Sequence, residues 1–135
     1  MITSPDQTDQ QVLQANRRFY QAIEDWDEPA MASLWLDSPD VTCFHPGWDP
    51  LYGYDAILDS WNSIFNSRQP FNFRLIGIRT VISGDLAVVT LLENLIIEQD
   101  GRVAEVFLPA TNIFRFHEGR WFLIHHQASA AVEKG

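Results

Sequence analysis

Cysteine is almost missing from this chain: Cys43 is the single thiol. An internal disulfide is thereby excluded, and the usage fits a reducing compartment. Positive charge is scarce as well. Nine Lys and Arg stand against eighteen Asp and Glu, a formal net charge of −9, and the cations form no cluster. Nucleic acid and anionic membrane surfaces select the opposite balance, so neither is an expected partner. No apolar run reaches the ~18 residues that a membrane span requires. The opening MITSPDQTDQ is polar and has no apolar signal core. A cytoplasmic location is expected. There is no Walker loop, dinucleotide fingerprint or nucleophile triad, so no cofactor is expected. No repeat, linker or low-complexity stretch divides the chain.

What is present is apolar and aromatic. Hydrophobic residues make up 46% of the 135 positions, with five Trp and nine Phe. That supports a single domain over residues 1–135 with one real core. Ser4-Pro5-Asp6-Gln7 reads as a helix start, and Val12, Ala15, Phe19, Ala22, Ile23 and Trp26 follow at helical spacing. Asp27 caps a short second helix carrying Met31, Leu34 and Trp35. Val41 to Phe44 reads as a short strand, and His45 to Gly53 as a loop. A third helix runs from Tyr54 to Phe65. Four strands follow: Phe71–Ile82, Leu86–Gln99, Arg102–Phe116 and Trp121–Ala130.

Two of these strands are apolar along one face except for a single polar residue. One face reads Ala87, Val89, Leu91, Glu93, Leu95, Ile97. The other reads Ala104, Val106, Leu108, Ala110, Asn112, Phe114, Phe116. A two-residue turn at Asp100-Gly101 sets Val89 against Asn112 and Glu93 against Leu108, so both faces point to one core. A three-residue turn at His117-Glu118-Gly119 then pairs Asn112 with Ile124 and turns Phe122, Ile124, His126 and Ala128 inward. Pro109 is out of place in a central strand, and a bulge there would shift the inward set. The opposite face carries Val88, Leu92, Phe107, Ile113, Trp121 and Leu123, which predicts a homodimer through the outer face of the sheet.

The helix stripe ending at Trp26-Asp27, His45-Pro46-Gly47 with Leu51-Tyr52-Gly53-Tyr54-Asp55-Ala56-Ile57, Thr111-Asn112-Ile113-Phe114-Arg115-Phe116, and Gly119-Arg120-Trp121 leading to His125-His126-Gln127-Ala128-Ser129 carry a resemblance. The chain resembles the nuclear-transport-factor-2-like superfamily and, within it, the SnoaL-like, ketosteroid-isomerase-related group. The resemblance implies an α+β, cystatin-like cone: three N-terminal helices packed on a curved, mostly antiparallel four-stranded sheet. It implies a pocket between helices and sheet. His45 takes the place of the group's general-base carboxylate, and Asn112 that of its second carboxylic acid. Phe19 takes the place of its tyrosine, with Tyr20 beside it pointing elsewhere on the helix.

Each candidate has two readings. His45 is a general base or a loop histidine that ties down a turn. Asn112 donates to a ligand oxygen or to loop backbone. Glu93 is an acid or base raised by burial, or the ion-pair partner of Arg74 or Arg79. His126 reaches the pocket and His125 the opposite face, so the two cannot share a metal ion, and no metal is expected. Trp48, Tyr52, Phe19 and Phe114 are expected to line the ligand site. The expected ligand is a small apolar molecule with an oxygen function. Two functions remain: a cofactor-independent isomerase, cyclase or dehydratase working by acid–base chemistry on an apolar carbonyl-type ligand, or a non-catalytic binding or assembly domain.

Overall fold

The computed structural model describes residues 5–130, with side chains from Gln7 onward. The Ser4 cap lies outside the described residues. Helix α1 spans Pro5–Asp25 and buries the stripe from Val12 to Ile23. It ends with Trp26 at φ 52, while Trp26 N–H donates to Ile23 O and Asp27 N–H to Ala22 O at 2.9 Å. This pairing satisfies the last carbonyls by a left-handed closing residue. The next residue starts α2 (Glu28–Leu34): an Asp27 carboxylate oxygen accepts from Ala30 N–H at 3.0 Å. Cap and stop are therefore adjacent, which turns α2 sharply away from α1.

Strands β1 (Thr42–Phe44) and β2 (Leu51–Tyr52) precede α3 (Tyr54–Asn66). Then come β3 (Asn72–Ser83), β4 (Leu86–Gln99), β5 (Arg102–His117) and β6 (Arg120–Ala128). The sheet has six strands in the order β2-β1-β6-β5-β4-β3, not four. The two additional members are short. β1 runs parallel to β6, about eighty positions away in sequence, with Cys43 opposite His126. No turn signal announces a pairing between such distant segments, and two residues of β2 are too few to show alternation. Among the described residues, no helix is long and apolar enough to cross a membrane.

The central hairpin has the expected register. Asp100 and Gly101 both take positive φ, 53 and 76, and pair Gln99 with Arg102, Val89 with Asn112 and Glu93 with Leu108. Its tip runs past the helices, so Ala104 and Val106 are exposed rather than in the core. Pro109 sits opposite Leu92 without a bulge. It lies just past the last β5–β6 pair, where its carbonyl accepts from Ser129 N–H at 3.2 Å. The donor it lacks would face that open edge.

The final hairpin differs from expectation in two places. Its turn is two residues, Glu118-Gly119, pairing His117 with Arg120. A bulge between Ile113 and Phe114 of the ladder then absorbs Ile124. The one-residue change turns Trp121 and Leu123 inward, where they are 6% and 0% exposed. The bulge reverses the phase again, so His126 and Ala128 also face inward, and Asn112 pairs with His126 rather than Ile124. Trp121 and Leu123 are thus core residues and do not belong to the outer face.

Candidate functional site

Between α1, α3 and the concave sheet lies a cavity of about 240 Å³. Ile23 and Trp61 contribute from the helices, Phe73, Leu95 and Leu108 from the strands, and Phe71 from the residue just before β3. Three titratable groups reach this apolar wall: His45, Glu93 and His126. Strand geometry explains their convergence. Cys43 and His126 are register partners in the β1–β6 pair, and His45 lies two residues beyond Cys43, on the same face. Trp48 also lines the cavity while remaining 47% exposed, as a residue at its mouth.

Four expected site residues lie elsewhere. Tyr52 is 65% exposed on the short edge strand β2, paired with Thr42, and does not line the cavity. Phe19 and Phe114 are both 0% exposed in the core. Phe19 packs against Trp61 and against the His126 ring, 4.8 Å away, so it supports a cavity residue from behind. Asn112 is likewise fully buried and behind the wall. Its Nδ2 donates to Asn16 Oδ1 at 2.8 Å and to the Tyr20 hydroxyl at 3.1 Å. Its Oδ1 lies 2.6 Å from His126 Nδ1. Its amide hydrogens are therefore committed to the protein.

Glu93 does not pair with Arg74 or Arg79. Its Oε2 accepts from the Tyr20 hydroxyl at 2.6 Å. Tyr20, placed on the wrong side of the helix from sequence, is 3% exposed and points at the sheet. The stripe on α1 includes Asn16 and Tyr20 four residues apart, a spacing that puts both on its buried side. A polar pair inside an apolar helical stripe is the same signal that singled out Glu93 and Asn112 on the strands.

Burial governs the electrostatics. It pushes the Glu93 carboxyl up from 4.5 to about 7, against the opposing pull of the Tyr20 hydrogen bond. Burial also raises Tyr20, helped by the Glu93 charge, so the phenol keeps its proton. The imidazoles move the other way. Burial lowers His45 to about 4, and burial together with repulsion from His45 and His125 lowers His126 to about 3. Both are neutral at neutral pH. His45 is held by Ser60, with Nε2 2.9 Å from Oγ, and its ring meets Trp48 and Trp61 edge-on. Cys43 Sγ lies 3.7 Å from His45 Nε2, but burial raises the thiol and keeps it protonated. Of the three titratable groups lining the cavity, Glu93 is the one that burial moves toward neutrality.

Known proteins resemble this chain in sequence or in fold. The F-box protein SKIP8 of Arabidopsis thaliana is 37% identical over 125 residues, which are 93% of this chain and 52% of that protein. The chain thus spans about half the length of that relative. A candidate dehydratase of the NTF2-like family from Streptomyces avermitilis superposes with a TM-score of 0.89 at 34% identity, over 96% of this chain and all of that one. A candidate calcium/calmodulin-dependent protein kinase type II association domain from Thiobacillus denitrificans gives 0.79 at 26% identity, over 87% of this chain and 93% of that one. The family model of the SnoaL-like domain matches residues 12–133. A match over nearly the whole chain, joined to an NTF2-like neighbour over the same fold, means that this chain belongs to the SnoaL-like family of the NTF2-like superfamily.

Proposed function

We propose that the chain is a cofactor-independent acid–base enzyme acting on a small, largely apolar, oxygenated molecule, with elimination of water as its reaction. One observation carries the reading: a carboxyl group set in an apolar cavity, held by Tyr20 and raised to about 7. A carboxyl with that affinity for protons can take one and return it in the same turnover. In a β-hydroxy carbonyl compound, the Glu93 carboxylate removes the proton from the carbon next to the carbonyl. The resulting acid then hands that proton to the departing hydroxyl. Water leaves, a carbon–carbon double bond forms, and Glu93 is again ionised. His45 and His126 are too weakly basic to compete for the proton. They serve as hydrogen-bonding walls. The likeness to a candidate dehydratase at 34% identity favours the same class. The test is dehydration of the aldol adduct of benzaldehyde with acetone, followed by the absorbance of the conjugated enone. The wild type is expected to accelerate it, with a rate that rises with pH to a plateau above about 7. A rate equal to that of buffer refutes the reading for this substrate class.

Self-association is a second reading, favoured by the outer face of the sheet and by the likeness to an association domain. Val81 is 67% exposed and Phe107 43% exposed there, with Val88, Leu92 and Ile113 half-buried beside them. Such a face is costly to leave in water and is typical of an interface. Sedimentation at micromolar concentration is expected to give a mass above the 15.5 kDa monomer. Phe107→Glu should shift the distribution to monomer, because burial would strand a charge. A wild-type monomer contradicts this reading and leaves the cavity chemistry untouched.

A further inference from the structure

The hydrogen bonds of the polar core have assignable directions, and these determine what the cavity offers a ligand. An amide nitrogen only donates. Asn112 Nδ2 donates to the Tyr20 hydroxyl, so the Tyr20 proton is free to go to Glu93 Oε2. An amide oxygen only accepts. Because Asn112 Oδ1 faces His126 Nδ1 at 2.6 Å, that nitrogen carries the ring proton. A neutral imidazole has one N–H, so Nε2 is a bare acceptor. Asn112 lies behind the wall and His126 lines the cavity. The Nδ1 edge of the ring is thus fixed toward the core, and among the described residues no donor bonds to Nε2.

His45 follows the same logic. The Ser60 hydroxyl donates to Ile57 O at 2.6 Å, so its oxygen accepts from His45 Nε2–H. His45 Nδ1 then carries no proton, and the protonated Cys43 Sγ lies 4.0 Å from it. Above about pH 7 ionised Glu93 offers only lone pairs, and the Nε1–H of the lining Trp61, which has no partner among the described residues, is itself buried. The amide hydrogens expected to bind a ligand oxygen are spent on Asn16 and Tyr20.

We propose that the cavity selects a hydrogen-bond donor, a small apolar alcohol whose hydroxyl donates to His126 Nε2, and that Asn112 is the positioning residue that imposes this preference by fixing the imidazole tautomer. The inference rests on the small-molecule reading of the cavity given above. A simple ketone of the same skeleton, which unlike a β-hydroxy ketone carries no hydroxyl, leaves Nε2 unpaired, and above about pH 7 the ionised Glu93 carboxylate gives its oxygen no donor. Sites built around a buried polar group reject the analogue that lacks its partner. The low proton affinity of His126 keeps the ring from becoming a donor at neutral pH.

The experiment compares α-methylbenzyl alcohol with acetophenone by calorimetry on the full chain, alongside nitrogen NMR of the labelled histidines. The alcohol is expected to bind at least ~5-fold tighter than the ketone. His126→Leu should abolish that preference while still binding both. The spectrum should show His126 protonated at Nδ1 and bare at Nε2. Equal or tighter binding of the ketone to the wild type overturns the proposal, as does a proton on Nε2. If neither compound binds, the small-molecule reading falls, and the spectrum alone then decides the tautomer. Should His126→Leu fail to fold, the wild-type comparison and spectrum remain decisive.

Discussion

Replacing Glu93 by Gln is expected to remove activity and stabilise the protein. Glutamine keeps an oxygen that accepts from Tyr20 but cannot take up a proton. The dehydration rate should fall by roughly 10²–10⁴-fold. The stability effect follows from proton linkage. Glu93 rises from 4.5 to about 7 on folding, so the folded chain holds that proton more tightly than the unfolded one. Stability therefore falls as pH rises through this interval and stays reduced above it. Glu93→Gln escapes the loss. It should be more stable than the wild type by about 1–3 kcal/mol at about pH 8, with the advantage vanishing toward about pH 4. Denaturant unfolding at the two pH values measures it. A variant that loses stability at the higher pH contradicts the account. The two imidazoles act with the opposite sign. Folding lowers His45 from 6.5 to about 4 and His126 to about 3, so the unfolded chain binds their protons first. Their contribution is present above 6.5 and drains away as pH falls toward the folded values. Stability should thus be lost in acid through the histidines and reduced above neutrality through Glu93.

The second large effect is expected at Asn112. Of the two readings that the sequence offers for Asn112, the ligand-donor one makes Asn112→Leu harmless to the fold, because a pocket amide without its ligand contributes nothing to stability. The structure reverses that expectation. Asn112 is 0% exposed and bonds Asn16, Tyr20 and His126 at once. Leucine would leave the His126 Nδ1–H and the Asn16 oxygen buried without partners, at ~1–3 kcal/mol each. A loss of at least ~3 kcal/mol in the unfolding free energy is expected, enough to unfold a marginal domain. A loss below ~1 kcal/mol would show that the network relaxes around the change, and that Asn112 does not hold His126.

Local signals carried most of the fold. Alternation on β4 and β5 with the Asp100-Gly101 turn placed Glu93 opposite Leu108 and Val89 opposite Asn112, as observed. The Trp26-Asp27 junction marked the end of one helix and the cap of the next. What depended on a single residue of register was harder. The two-residue turn at Glu118-Gly119 and the bulge that absorbs Ile124 each change phase by one: the first moved Trp121 and Leu123 from the surface to the core, and the second returned His126 and Ala128 to the inner face. Nothing local distinguishes those phases, because β6 is apolar on both faces. For the site, the lone polar residues on apolar strands identified Glu93 and Asn112, and the hairpin register turned His126 inward. Their roles followed from partners on α1, Asn16 and Tyr20, which are about seventy to a hundred positions distant in sequence. His45 was singled out by the resemblance at His45-Pro46-Gly47, but burial between Trp48 and Trp61 lowers the basicity its residue type suggests.

The proton affinity of Glu93 is the quantity on which the functional account turns. Carbon NMR of the glutamate carboxyls across pH, with Glu93→Gln assigning the resonance, measures it directly. The Glu93 carboxyl is expected to titrate near 7. A Glu93 resonance that titrates at or below its ordinary 4.5 would mean that the carboxyl is ionised and inert at neutral pH, and would contradict the acid–base reading of the cavity.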